Sequence, residues 1–126
     1  MPSYLHMIVR TTKLPLSEIL RDFKKFTAKE IIKVIGQIQE SRKGWILEIF
    51  AEVAGHLKRA KNYKVWQDGN HPELLVTAAF QKQKLEYLHM NPVEAEIVDE
   101  PQHYWHSLAR DYCTDKKGLL EVELLN

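Results

Sequence analysis

The stretch LEYLHMNPVEAEIV, residues 85–98, decides how the second half of the chain is interpreted. It closes a helical pattern with Tyr87, His89 and Asn91, directly before Pro92. Tyr87 and Asn91 are four residues apart, so in a helix their Cβ atoms stand about 5–6 Å apart on one surface. His89 points about 200° away from Tyr87 around the helix and is a poor partner for this pair. The pair suits a nucleophile and a metal ligand, although a core tyrosine and a helix-ending asparagine give the same pattern.

Three main helices are predicted from apolar residues that recur with helical spacing. The first covers about residues 16–39, where Thr27 and Glu30 form a candidate capping box that would divide it. The second covers about residues 42–58, with Ser41 as its cap and an end between His56 and Arg59. The third opens at Pro72, which a first helical turn tolerates well, and runs to about Met90.

Two short segments alternate in the way that is typical of β-strands. They are SYLHMIVR, residues 3–10, and YKVWQ, residues 63–67, which precedes the turn signal DGN. The expected fold class is therefore α+β, with a small antiparallel sheet that the three main helices cover. The stretch EPQHYWHSLARDY is expected to hold a helical turn or two, and GLLEVELL is either a strand or a docked tail.

Composition restricts the class of protein. With 126 residues and 44% hydrophobic side chains, the chain suits one globular domain. Its one cysteine, Cys113, excludes an internal disulfide framework and fits a reducing compartment, which favours the cytoplasm. No run reaches the roughly 20 apolar residues of a membrane span, so no membrane partner is expected.

Charge is distributed unevenly along the chain. Residues 1–64 carry 13 Lys and Arg against 6 Asp and Glu, whereas residues 65–126 carry 5 against 11. In the first half, a stripe of basic residues falls at spacings of four along the first predicted helix: Arg21, Lys25, Lys29 and Lys33. The stripe is either a solvated helix face or a surface that contacts a nucleic-acid backbone, and the opposite charges of the halves also fit attraction within one fold.

Several segments together resemble one known family. KLEYLHMNPVEAEIV followed by PQHYWHSLARDY resembles the signature of the REP-associated tyrosine transposases, a branch of the single-tyrosine HUH transposases. Upstream, YKVWQDGNHPELL and LSEILRDFKKFTAKEI extend the resemblance, and MPSYLHMIV looks like the strand that carries the family's histidine pair. The resemblance covers essentially the whole chain and implies a ferredoxin-like domain. Met1 coincides with an internal methionine of that pattern, so the family's N-terminal strands and helix are expected to be missing.

The resemblance assigns roles to three residues. Tyr87 matches the nucleophile, and His6 and Asn91 match ligands of a divalent metal, Mg²⁺ or Mn²⁺. A phenol has a pKa of about 10 and attacks poorly at neutral pH, so a cation that polarises the phosphate is needed. The implied function is cleavage and transfer of single-stranded or hairpin DNA through a 5′-phosphotyrosine intermediate.

One departure weakens that expectation. Tyr4 stands where the family has the first histidine of the pair, and a neutral phenol is a weak ligand for such ions. Weak metal binding and a degenerate activity are therefore expected. The alternatives are a non-catalytic DNA-binding module derived from a transposase and a helical interaction protein that binds no nucleic acid. A strand at residues 3–10 without its neighbour would expose backbone groups, so a homodimer is also expected.

Overall fold

The computed structural model describes residues 4–39, 41–55 and 63–125. Within these ranges the chain forms helices α1 (Leu16–Gln37), α2 (Lys43–Gly55), α3 (Ala78–Glu94) and α4 (Ala109–Cys113), with a 3₁₀ helix at Pro101–His103. Helices account for 53% of the described residues, and those residues contain no strand or sheet. The predicted α+β class with a small antiparallel sheet is therefore wrong.

The two predicted strands show why the sheet is absent. A strand is defined by backbone pairing with a neighbour, and alternation of side chains does not provide that neighbour. Residues 4–10 form no ladder with any other described segment. In the segment 63–67, the N–H of Lys64 donates to the carbonyl of Phe50 within α2 at 2.9 Å, so this backbone bond goes to a helix and not to a strand.

Helix α1 is continuous, which confirms the predicted helix and excludes the alternative in which Thr27 divides it. The Thr27 hydroxyl donates to the carbonyl of Phe23 one turn earlier at 2.7 Å, which is the usual bond of a threonine inside a helix. The same hydroxyl accepts the indole N–H of Trp66 at 2.9 Å. A residue with both of these partners does not cap a new helix.

Helix α2 packs against α1 and confirms the second predicted helix. Ala54 is buried with an exposed fraction of 2%, and Ile46 and Phe50 on the same side are half-buried. Trp45, Ile49 and Val53 lie on the surface instead of in the expected apolar face. The predicted end between His56 and Arg59 lies outside the described residues.

Helix α3 begins and ends later than predicted. It starts at Ala78 because the Thr77 side chain accepts the N–H of Phe80 at 3.1 Å and caps it. It continues through Pro92 to Glu94, since a proline this close to a helix end interrupts little of the hydrogen-bond ladder. Beyond the helix, Glu96 has a positive φ of 56°.

The C-terminal segment packs as a docked tail. Helices α3 and α4 both pack against the 3₁₀ helix. The 3₁₀ helix and α4 confirm the helical turns expected in EPQHYWHSLARDY. The N–H of Gly118 donates to the Asp111 carboxylate at 3.0 Å, and that of Leu125 donates to the Tyr112 hydroxyl at 2.8 Å. Of the two interpretations of GLLEVELL, the docked tail is the one observed.

The described residues divide into two compact units. One comprises the residues up to Val9 together with those from Pro72 onward, and the other comprises Arg10–His71. The first therefore contains α3, α4 and the tail, and the second contains α1 and α2. No helix in the described ranges combines the length and apolar character needed to cross a lipid bilayer.

Candidate active site

Tyr87 lies on the surface of α3. It stands seven residues before the helix end at Glu94, and 46% of the residue is exposed. The ring is therefore not sealed in a core.

His6 contacts Tyr87 directly. The two ring centroids are 5.7 Å apart with an interplanar angle of 89°, an edge-to-face arrangement. Residue 6 and residue 87 belong to the same compact unit, although they are 81 positions apart in the chain. The structure therefore brings together the imidazole and the phenol that the sequence singled out.

Tyr4 completes this group of rings. Its ring centroid is 6.4 Å from that of His6, and it is 76% exposed. A second aromatic hydroxyl thus lies beside the imidazole, where the family resemblance implies a histidine.

Asn91 follows Tyr87 by one helical turn and is half-buried. Its backbone carbonyl accepts the N–H of Ala95 at 3.0 Å, which holds the last turn of α3 in place. The helix therefore presents the Tyr87 and Asn91 side chains on one surface. His89 lies elsewhere, with its ring centroid 5.0 Å from that of Tyr112, as its angular position in the helix predicts.

The donor set at this site suits a divalent cation only weakly. Within the described ranges, no three His, Cys, Asp or Glu side chains form a group that could hold a metal ion. His6 and Asn91 would offer one imidazole nitrogen and one amide oxygen, and both are neutral. Hard cations such as Mg²⁺ prefer several oxygen ligands, usually including carboxylates. These two side chains alone therefore fit a hard divalent cation poorly.

Lys84 is a residue near the site that the sequence interpretation missed. Its Nζ atom lies 5.9 Å from the centre of the Tyr87 ring and 5.3 Å from that of Phe80. The same ammonium group pairs with the Glu73 carboxylate at 2.6 Å. Lys84 precedes Tyr87 by three residues, so both lie on one helix face. This spacing could have predicted that Lys84 lies near the site.

The predicted basic stripe on α1 is only partly free to bind a polyanion. Arg21 contacts the Asp22 carboxylate at 2.9 Å, and Lys33 approaches that of Glu30 at 3.8 Å. The hydrogen bond from Arg21 lowers the pKa of Asp22, so this carboxylate stays charged. All four members of the stripe are exposed, and the charge of Lys25 also helps to lower the pKa of Asp22.

Comparison of the chain with protein-family models, with curated proteins and with solved structures found no match.

Proposed function

We propose that this chain is a transposase-like protein that binds single-stranded or hairpin DNA and attacks a phosphodiester with Tyr87. The observation that supports this most directly is the edge-to-face contact between the exposed Tyr87 ring and His6 at 5.7 Å. The resemblance assigns both residues to one cleavage reaction. They are distant in sequence and lie side by side on an accessible surface. The resemblance of the motif at the end of α3 is what assigns the role of nucleophile to Tyr87.

The reaction balances as a simple transesterification. The Tyr87 oxygen attacks phosphorus, and its proton leaves to solvent. The bond from phosphorus to the 3′-oxygen of the preceding nucleotide breaks, and that oxygen takes up a proton. The product is a 5′-phosphotyrosine whose bond energy a 3′-hydroxyl can later use to rejoin DNA. Mg²⁺ or Mn²⁺, held by His6 and Asn91, would supply polarisation of the scissile phosphate.

DNA binding in this proposal depends on the basic face of α1. Lys25 and Lys29 would contact phosphates without reading sequence, as cations on a helix face do. Arg21 and Lys33 would add to this attraction while remaining paired with Asp22 and Glu30. We place this activity in the cytoplasm, because the exposed thiol of Cys113 fits a reducing compartment, and we propose that the protein acts as a homodimer.

A second candidate function is a non-catalytic DNA-binding module. The observation that favours it is Tyr4, which occupies the position of a metal-binding histidine beside His6. Without a third ligand, the site would hold metal too weakly to promote attack by a neutral phenol. The protein would then bind hairpin DNA without cleaving it.

Covalent trapping separates the two functions. The protein is incubated with a 5′-labelled and an internally labelled hairpin oligonucleotide and Mn²⁺, and adducts are resolved under denaturing conditions. We expect an adduct with the internally labelled strand that is lost in Tyr87→Phe and kept in Tyr104→Phe, a matched loss of a hydroxyl elsewhere. Binding without any adduct supports the non-catalytic module. If the protein shows no binding and no adduct, both functions are contradicted.

A gain-of-function variant sharpens this test. Tyr4→His restores the histidine pair that the family resemblance implies, so it should raise the adduct yield at low Mn²⁺ by about tenfold, equivalent to about 1.4 kcal/mol. His6→Ala in the same background should cancel the gain. An equal yield from the parent chain and Tyr4→His would mean that residue 4 does not contribute to metal binding.

A further inference from the structure

An open depression lies in the compact unit Arg10–His71, which does not include Tyr87. It has a volume of about 310 Å³ and lies between one face of α1 and the segment 63–69 that follows α2. From α1 it is lined by Lys24, Lys25 and Ala28, and from the segment by residues that include Tyr63, Lys64 and Trp66. Its volume is at the lower end of the range for ligand sites, which suits one nucleotide better than a larger molecule.

Three separate anchors hold the wall of the depression in place. Lys64 donates its backbone N–H to the carbonyl of Phe50 at 2.9 Å. The indole N–H of Trp66 donates to the Thr27 hydroxyl at 2.9 Å, and the Trp66 ring lies 5.9 Å from that of Phe23. A site that is already formed before a ligand arrives loses little ordering entropy when it binds one.

A fourth anchor comes from Lys24. Its ammonium group donates to the carbonyls of Gln67 and Gly69 at 3.1 and 3.2 Å. Gly69 has a positive φ of 80°, which allows the chain to turn so that both carbonyls face the lysine. These two bonds occupy two of the three N–H groups of Lys24 and leave its charge at the edge of the depression.

The lining carries an excess of positive charge. Lys24, Lys25 and Lys64 contribute three ammonium groups, and Asp68 contributes one carboxylate, which pairs with Lys64 at 2.7 Å. Lys64 is largely covered, with 18% of its side chain exposed, so its charge is committed to that pair. Lys24 and Lys25 therefore attract an anion to the α1 side of the depression.

The opposite side offers an aromatic surface. Tyr63 lines the depression and is 39% exposed, and Trp66 lies half-buried beside it. Ammonium groups that face aromatic rings are the combination by which proteins hold single-stranded nucleic acids, the cations contacting phosphates and the rings stacking on bases. Neither feature alone would indicate this ligand.

We infer that the depression is a subsite for one nucleotide of single-stranded DNA, with a phosphate at Lys25 and Lys24 and a base against Tyr63. The assignment of DNA as the ligand rests on the proposed function. The subsite adds an aromatic contact to what would otherwise be a purely electrostatic basic face. DNA would therefore bind to α1 with a local preference for unpaired nucleotides.

Trp66 provides a direct reporter of occupancy. The chain has three tryptophans, and Trp45 and Trp105 are 60% and 51% exposed, so both can be replaced with little loss of packing. In the Trp45→Phe, Trp105→Phe protein, Trp66 is the only indole fluorophore. We expect oligo-dT to quench its emission with saturation, and the apparent affinity to fall steeply with added salt.

Substitutions in the lining then test the two contacts. In that background, Lys25→Glu and Tyr63→Ala should each weaken oligo-dT binding about tenfold or more, because one removes a phosphate contact and the other a stacking surface. Lys13→Glu makes the same charge change outside the depression and should weaken binding less than about threefold. Circular dichroism checks that the variants fold. Lys25 is exposed on a helix, so its variant remains informative if Tyr63→Ala does not fold.

The outcomes distinguish this inference from the proposed function. Quenching by oligo-dT that both lining variants weaken, without a Tyr87 adduct on any hairpin, supports the subsite and contradicts the cleavage chemistry. An adduct at Tyr87 with no response of Trp66, or with equal effects of Lys25→Glu and Lys13→Glu, overturns the subsite alone. Absence of both quenching and adduct overturns both.

Discussion

His89 shows how the environment of a single side chain controls its protonation. Its Nε2 atom is buried and has no hydrogen-bond partner among the described residues, and its ring lies 5.0 Å from that of Tyr112. Burial lowers the pKa of His89 below its ordinary value of 6.5, because the charged imidazolium loses hydration that nothing replaces. The neutral form therefore belongs to the folded state.

This pKa predicts acid sensitivity. The folded-state pKa lies below the unfolded value, so the unfolded chain takes up the proton first as the pH falls. The contribution of neutral His89 is fully present above about pH 6.5 and is lost as the pH falls from there through the folded pKa. Thermal unfolding between pH 7.5 and 5.0 should show a loss of stability that is smaller in His89→Leu. A pH-dependent loss of the same size in both proteins would contradict this role of His89.

Individual residues were predictable where helix geometry alone fixed their neighbours. The i, i+4 relation placed Tyr87 and Asn91 on one surface, and the 200° offset of His89 directed it to another part of the unit. The contact between Tyr87 and His6 was predictable only from a family resemblance, because no local pattern links residues 81 positions apart. The bond from Lys24 to two loop carbonyls had no sequence signal, since its partners are backbone atoms of a distant turn.

At the scale of elements, helices were predictable and their ends were not. Apolar spacing predicts α1, α2 and α3, but it places the start of the third helix at Pro72, whereas Thr77 caps that helix. Proline is merely tolerated in a first turn, whereas a threonine side chain satisfies a backbone N–H that would otherwise lack a partner. The prediction of a sheet was wrong for a different reason, because a strand exists only if another segment pairs with it.

The cap at Thr77 yields a quantitative prediction. Thr77→Ala removes the acceptor for the N–H of Phe80 and should lower the free energy of unfolding by about 1 kcal/mol. Thr77→Ser keeps the hydroxyl and should retain most of that stability. Pro72→Ala tests the start that was predicted for this helix, and it should change the free energy of unfolding by less than about 0.5 kcal/mol. Urea unfolding followed by circular dichroism measures all three, and equal losses for Thr77→Ala and Pro72→Ala would contradict the cap.

At the scale of the whole molecule, the main feature is how little apolar surface the described residues bury. Their fully buried hydrophobic side chains are two alanines, Ala54 and Ala109. A chain of this length normally buries about two-thirds of the surface that its unfolded form exposes, so larger side chains would be expected in a core. Alternate residues of the N-terminal segment, Leu5, Met7 and Val9, are 50%, 43% and 48% exposed. Exposed apolar side chains that are close together are typical of interaction surfaces, and we expect a partner to cover this segment.

We expect that partner to be a second copy of this chain, paired through residues 4–9. Two such segments side by side would cover Leu5, Met7 and Val9 and would form backbone hydrogen bonds between the copies. Sedimentation at micromolar concentration should give a dimer. Met7→Pro removes a backbone N–H at the centre of the segment and should shift the protein to monomer. Leu120→Pro alters a tail residue that is 70% exposed and should leave the dimer intact. A monomeric parent chain, or a dimer that both substitutions weaken equally, would exclude pairing through this segment and leave the apolar surface to a different partner.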